Sequence, residues 1–310
     1  MEASSSLTIG IPRALLYYRY AVLWQTFFEA LGVETIVSDS TSRKVLEEGS
    51  NLAVDETCLS AKIFFGHVKA LAGRCDYILI PRINTFGRRR EMCVRFQSLY
   101  DQVRNVFRET DQKFLSYNVD MEAGIGEEDA FLKMGQSLGF AKRDVKRAYA
   151  AAKREEQRDW NERLRKQEQL FKAEGLKILL VGHSYVLDDP YIGKAVTDFL
   201  GETGVVSIRA DIINRETALK RSVELSATCK WEVSRELLGG IAEHRDRVDG
   251  IILVSAFPCG PDAMINELLI RRLTDIPLLN LVLDSQSGTA GIETRLESFV
   301  DIIRLKKGVL

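Results

Sequence analysis

Short apolar runs of strand length recur along this chain with helix-spaced segments between them, and that alternation restricts it to one broad class of fold. Residues 7–11 form an apolar run closed by Pro12. Residues 20–31 place apolar side chains at helical spacing up to Gly32, and residues 34–37 are β-branched again. Residues 77–80 (YILI, ahead of Pro81) and 114–117 read as further buried strands, with helices expected at 61–71 and 94–107. The second half repeats the scheme. Strands are expected at 177–181 (KILLV), 205–208, 250–254 (GIILV) and 278–283 (LLNLVL), and helices at 191–200, 230–239, 262–273 and 292–303. Parallel strands need a crossover connection, usually a helix, so this order predicts an α/β protein with doubly wound parallel sheets.

One segment departs from the alternation. Residues 141–174 (AKRDVKRAYAAAKREEQRDWNERLRKQEQLFKAE) hold neither Pro nor Gly and are dense in strong helix formers, so they predict one long connecting helix. The division that follows is an N-terminal α/β domain at 1–140, the connecting helix at 141–175 and a C-terminal α/β domain at 176–310. A length of 310 residues suits two domains of roughly 150 residues each. Lys and Arg (43) nearly cancel Asp and Glu (44), so no nucleic acid and no acidic membrane surface is implied as a partner. The opening MEASSSLTIG lacks a basic start followed by an apolar core, and no segment approaches the ~20 apolar residues of a membrane span. A cytoplasmic location is expected.

Cysteine placement carries the chemistry. The five thiols, Cys58, Cys75, Cys93, Cys229 and Cys259, are odd in number and scattered, a poor disulfide framework. Cys259, in SAFPCGPDAM, follows an apolar run and precedes a helix. Pro258 and Pro261 restrict the backbone there and Gly260 lets it approach closely. In an open parallel sheet, ligands collect outside the carboxyl ends of strands, where Cys259 is expected. Cys58 (VDETCLSAK) and Cys93 (REMCVRFQSL) also fall just ahead of helices, where amides and dipole favour thiolate. A buried thiol also serves as a small apolar filler. Three thiols at helix starts favour joint ligation of a metal, although no C-x-x-C spacing is present. Cys75, at a helix-to-strand turn, and Cys229 read as packing or surface thiols.

IGIPRALLYYRYAVLWQTFFEALGVETIVSDSTSRKVLEEG, ETCLSAKIFFGHV, GHSYVLDDPYI, DGIILVSAFPCGPDAMINELL and IPLLNLVLDSQSGTAGIETRLESFVD resemble the acyl-CoA dehydratase activase-related family. That family is similar to the subunits of 2-hydroxyacyl-CoA dehydratases and benzoyl-CoA reductases, and to double-cubane cluster proteins. The resemblance implies two flavodoxin- or Rossmann-like domains and an oxygen-sensitive [4Fe-4S] cluster held by Cys58, Cys93 and Cys259. It also implies an ATP-hydrolysing activator as electron donor and an acyl-CoA or other small molecule as substrate. Neither G-x-x-x-x-G-K-[ST] nor a strand-linked G-x-G-x-x-G occurs, so a partner must supply the ATP step. A bridged double cubane needs six thiolates, so five cysteines per chain would require a homodimer sharing three from each copy.

Further residues enter around that expectation. His183, directly after LLVG, is the candidate proton donor; Tyr185 and Asp189 belong to the same loop, with Asp189-Pro190 also an ordinary helix-start signal. Lys62, four residues past Cys58 on one helix face, is placed to balance cluster charge, with Tyr185 as a second cofactor contact. His67 fits its helix as a packed or solvent-facing residue. Arg88, Arg89 and Arg90 read as a solvated loop, or as a grip for a phosphate or an acidic activator surface. Two departures stand against the family pattern. Val94 replaces the proline that usually follows the second cysteine, and DSQSGTAG, with Ser285 and Thr289 nearby, lacks a glutamate common in relatives. Three readings follow: a cluster-bearing reductase or dehydratase-like component, a non-enzymatic electron-transfer or cluster-carrier protein, and a structural subunit binding zinc or no metal.

Overall fold

The computed structural model describes residues 7–286 and 289–308. The chain divides into two units, residues 1–160 and 161–310. In the first, β1 (Thr8–Ile11), α1 (Tyr17–Ala30), β2 (Glu34–Val37), α2 (Arg43–Leu52) and α3 (Leu59–Leu71) lead to β3 (Tyr77–Leu79) and β4 (Arg82–Thr85). There follow α4 (Val94–Val106), β5 (Lys113–Leu115), β6 (Asn118–Asp120), α5 (Glu127–Ser137) and α6 (Lys142–Lys172), with the boundary between the units inside α6.

Four strands of the first unit form a parallel sheet in the order β2-β1-β3-β5, with Ile9 opposite both Thr35 and Tyr77. Pro81 has no N–H to give, so the ladder breaks there and resumes as the parallel pair β4-β6. On either side of the break, Ile80 N–H donates to Leu115 O (2.8 Å) and Arg82 N–H to Tyr117 O (2.9 Å). Ile9, Ile11, Ile78 and Leu79 are buried in the strands, and α1 lays Leu23, Trp24, Phe27 and Phe28 against them. Phe131 of α5 closes this core edge-on to Phe27, with ring centroids 4.9 Å apart. Trp24 Nε1–H donates to the buried hydroxyl of Tyr117 (3.0 Å). Burying each such side chain stabilises by about 1.5–3 kcal/mol, which holds the sheet and its carboxyl-end loops in place.

The second unit contains β7 (Lys177–Val181), α7 (Ser184–Leu187), α8 (Lys194–Glu202), β8 (Val206–Arg209), α9 (Arg215–Leu225) and α10 (Glu232–His244). It continues through β9 (Gly250–Ala256), α11 (Gly260–Arg272), β10 (Leu278–Leu283) and α12 (Thr289–Lys307). Its sheet runs β10-β9-β7-β8, again parallel throughout. Every residue of β9 is buried, as suits a strand covered on both faces. Gln167 of α6 fixes the rim of this sheet: its amide donates to Arg209 O (2.9 Å) and Ile212 O (2.6 Å) and accepts from Arg209 N–H (2.9 Å).

Counted along the chain, the four main strands of each unit take the same spatial order, second-first-third-fourth. The doubly wound parallel architecture expected from the sequence is therefore present, and it occurs twice. The topological switch point of each sheet lies between its first and third strands, where loops diverge and ligand sites form.

Candidate functional site

Cys58, Cys93 and Cys259 are the N-cap residues of α3, α4 and α11, each extended at the cap and part-buried. At an N-cap the side chain lies beside the first-turn amides and the positive end of the helix dipole, which favours negative charge. Two of the three belong to the first unit and one to the second.

In the first unit, the start of α3 is set by its packing on α2. A Cβ added at Gly49 would lie 1.8 Å from Lys62 O, and one at Gly66 2.0 Å from Val45 O, so the two backbones touch where only glycine fits. Arg95, in the first turn of α4, reaches back to Thr57 Oγ1 through Nη2 (3.4 Å) and to Gln102 Oε1 through Nη1 (2.7 Å). Thr57 directly precedes Cys58, so this arginine ties the loop before α3 to the helix that Cys93 caps. Lys62 donates from Nζ to Asp55 O (3.0 Å), bracing the same loop.

In the second unit, β7 and β9 are neighbours at the switch point, and their carboxyl-end loops carry His183 and Cys259. His183 is buried, and its Nε2 lies 2.8 Å from Oδ1 of Asp262, which is buried in the first turn of α11. Burial pushes the imidazole toward the neutral form. The Asp262 carboxylate, by charge and hydrogen bond, with Asp211 and Glu236 behind it, reverses this and raises the pKa above the usual histidine value. The Tyr185 ring stacks on the imidazole at 4.9 Å and 20°. Opposite charges pack nearby: Arg209 bonds Asp211 (2.8 Å) and Asp188, and Arg215 pairs with the buried Glu232 (2.6 Å) and Glu236 (3.1 Å).

Beside Cys259 opens a cavity of 280 Å³, walled by Phe257, Ile270 and Val282 and reaching Asn266, Asn280 and Ser255. Asn266 Nδ2 donates to Asn280 Oδ1 (3.2 Å) and Ser255 Oγ (3.4 Å), giving an otherwise apolar recess one band of amide and hydroxyl groups. Such a recess suits a small, largely apolar group with a polar atom.

The remaining candidates take structural places. The Cys75 thiol donates to Leu71 O (3.6 Å), and burial raises its pKa. Cys229 sits in the core of the second unit. Asp189 accepts from the amides of Tyr191 (2.9 Å) and Ile192 (3.1 Å), shaping the turn ahead of α8. His67 is buried between the hydroxyls of Ser38 and Thr41, each 2.9 Å from a ring nitrogen. Arg88, Arg89 and Arg90 form the turn after β4, with Arg90 over the Phe86 ring (5.8 Å). Ser285 lies exposed in the turn after β10, and the side chain of Thr289 falls outside the described residues.

Among the described residues, no three His, Cys, Asp or Glu side chains gather as a group that could hold a metal ion. The thiols suit an iron-sulfur centre in donor chemistry alone: sulfur donors beside helix amides of the kind that bond cluster sulfides. Asp262 and Asn266 were not legible as site residues from the sequence. Only Asp262 gave a signal, through its place three residues after Cys259.

No helix among the described residues is long and apolar enough to cross a membrane. No curated protein matches the chain. Among solved structures it is similar to a ZnuA crystal structure, at 10% identity over 97% of this chain and 99% of that one, with a TM-score of 0.26. It is also similar to an FpvC mutant from Pseudomonas aeruginosa, at 14% identity over 96% and 98% of the two chains, with a TM-score of 0.27. A family model described as "CoA enzyme activase uncharacterised domain" matches residues 8–213, a span that takes in Cys58, Cys93 and His183 and ends before Cys259. With two thirds of its length so matched, the chain belongs to this acyl-CoA dehydratase activase-related family.

Proposed function

We propose that this chain is an iron-sulfur protein, a low-potential reductase or dehydratase-like component that receives electrons from an ATP-hydrolysing activator. One observation carries the reading: of five thiols, three occupy helix N-caps, and they are the three that the family resemblance assigns to a cluster. Cys58, Cys93 and Cys259 would hold the group, while Cys75 and Cys229 serve packing. When bound, a four-iron cluster on three thiolates supplies one-electron chemistry at low potential, with one iron open to a further ligand.

The chain's own residues provide the rest. His183 is held by Asp262 through Nε2, and that carboxylate raises its pKa and so favours the protonated ring, the form in which Nδ1–H is a donor. Tyr185 stacked on the imidazole fixes its plane. The cavity beside Cys259 supports a substrate-binding enzyme over a pure electron carrier, with the acyl part of an acyl-CoA or a similar small molecule as the class it suits. A double cubane would need six thiolates and hence a homodimer; a monomeric mass for iron-loaded protein would exclude that form.

Protein expressed and purified without oxygen tests the reading through iron and acid-labile sulfide analysis and electron paramagnetic resonance after reduction with titanium(III) citrate. The expected result is equimolar iron and sulfide with a signal at low temperature. Zinc, or no metal, overturns it in favour of a structural role.

A further inference from the structure

Strand β10 forms one edge of the second-unit sheet, and alternate residues of a strand share a face, so Asn280 and Val282 point the same way. Ser255 of β9 lies opposite Val282 in the register. Helix α11 brings Ala263, Asn266 and Ile270 to the same place, at the three- and four-residue spacing of one helix face. The elements meet around an open recess rather than a packed seam. Phe257, Ile270 and Val282, which wall the 280 Å³ cavity, are 57, 40 and 44% exposed, so they leave apolar surface for a ligand to cover. At about 30 Å³ per heavy atom, a water's share of the liquid, the space holds about nine such atoms.

The polar band of this cavity has hydrogen-bonding capacity to spare. Asn266, 8% exposed, spends its Nδ2 hydrogens within the molecule, on Asn280 Oδ1 (3.2 Å) and Ser255 Oγ (3.4 Å). The Ser255 hydroxyl accepts there, but its own proton has no partner among the described residues, and neither does Asn280 Nδ2 or Asn266 Oδ1. All three residues line the cavity. Positive charge is missing from it. Among the described residues, no Lys, Arg or His lines the cavity, and the one carboxylate in its wall is Glu267. Arg271, which pairs with Glu267 (2.7 Å), and Arg295, which donates to Asn280 O (2.6 Å), are not part of the wall. A ligand carboxylate would therefore lose water without gaining a cation, whereas a neutral carbonyl loses less and finds donors.

Building on the substrate-pocket reading above, we propose that this cavity selects an uncharged short-chain carbonyl compound and rejects the matching carboxylate, with Asn266 as the specificity-determining residue. The ligand's carbonyl oxygen accepts from Ser255 O–H and Asn280 Nδ2–H. Asn266 holds these two donors in place and offers Oδ1 to an N–H of the ligand where there is one. The alkyl chain lies against Phe257, Ile270 and Val282.

The isosteric series hexanamide, 2-heptanone and sodium hexanoate, titrated into oxygen-free whole chain at matched ionic strength and followed by saturation-transfer nuclear magnetic resonance and calorimetry, tests the proposal. The neutral compounds should bind about tenfold or more tighter than hexanoate, as expected when a carboxylate enters a recess without a cation. Hexanamide ahead of 2-heptanone identifies an amide head that also donates to Asn266; equal affinities identify a carbonyl head alone. Asn266→Leu, of similar shape, should lose about tenfold in affinity for the tighter compound. Should that variant fail to fold, Val282→Trp, at an exposed position on the edge strand, fills the recess and must weaken binding as much. Equal or tighter binding of hexanoate, no binding of either neutral compound, or undiminished affinity in the folded variants overturns the proposal. Iron and sulfide counts on the same samples keep it apart from the cluster reading: neutral-ligand selectivity without iron upholds the pocket alone, and an intact cluster without selectivity removes the pocket alone.

Discussion

His183 and Asp262, separated by 79 positions in sequence, form a buried contact of 2.8 Å that ties the loop after β7 to the first turn of the helix capped by Cys259. The contact fixes both partners. Burial alone would leave the imidazole neutral and the carboxylate without compensation; together they stabilise a charged pair at the switch point.

Replacing Asp262 by Asn keeps the shape and removes the charge. The His183 pKa, now set chiefly by burial, should fall from above 6.5 to below it, which a nuclear magnetic resonance titration of the three histidines reads directly. A histidine with a raised native pKa adds stability that is complete below its unfolded value and is lost as pH rises through the native value. Asp262→Asn should therefore cost most on the acid side, about 3 kcal/mol, and little in alkaline solution. An unmoved His183 titration would contradict the assignment.

His67 has the opposite sign. Burial and then the Arg13 charge hold its native pKa near 4, below the ordinary 6.5, so the unfolded chain takes up the proton first as pH falls. Stability tied to this residue is present above pH 6.5 and drains away toward pH 4, by about 3 kcal/mol in total. His67→Gln, which can still bond a hydroxyl, should flatten the acid limb of a urea-denaturation pH profile. An acid limb as steep as that of the wild type would count against it.

Gly49→Ala places a methyl against Lys62 O, where backbone cannot yield cheaply. Overpacking of this kind costs about 1–3 kcal/mol, and here it would push α3 and its Cys58 cap away from α2. A fall in Tm with faster Cys58 alkylation is expected. Wild-type Tm and labelling rate would show that the two helices do not need this close approach.

Much of the fold was legible because each main strand is an apolar run with a clear stop. β9 (GIILVSA) is buried along its whole length, and α6 (Lys142–Lys172) falls within the stretch that lacks Pro and Gly. Helix α2 stayed hidden. Its RKVLEEGSNL mixes charges with a central glycine whose purpose, contact with α3, exists only in the folded chain. Pro81 reads as a strand end, which it is, but nothing local shows the ladder resuming at Arg82. At the site, the three helix-start thiols follow from Pro, Gly and apolar spacing. The partners of His183 and His67 do not, since Asp262, Ser38 and Thr41 reach them through strand order rather than sequence proximity.

The central claim, that Cys58, Cys93 and Cys259 together hold an iron-sulfur centre, is tested most directly by electron paramagnetic resonance on oxygen-free wild type beside Cys58→Ala, Cys93→Ala, Cys259→Ala and Cys75→Ala, with iron counted per chain. Each of the first three changes should abolish or severely alter the signal, while Cys75→Ala, which removes a packing thiol bonded to Leu71 O, should leave signal and iron content nearly intact. A signal that survives loss of any one of the three, or that disappears with Cys75, would contradict it.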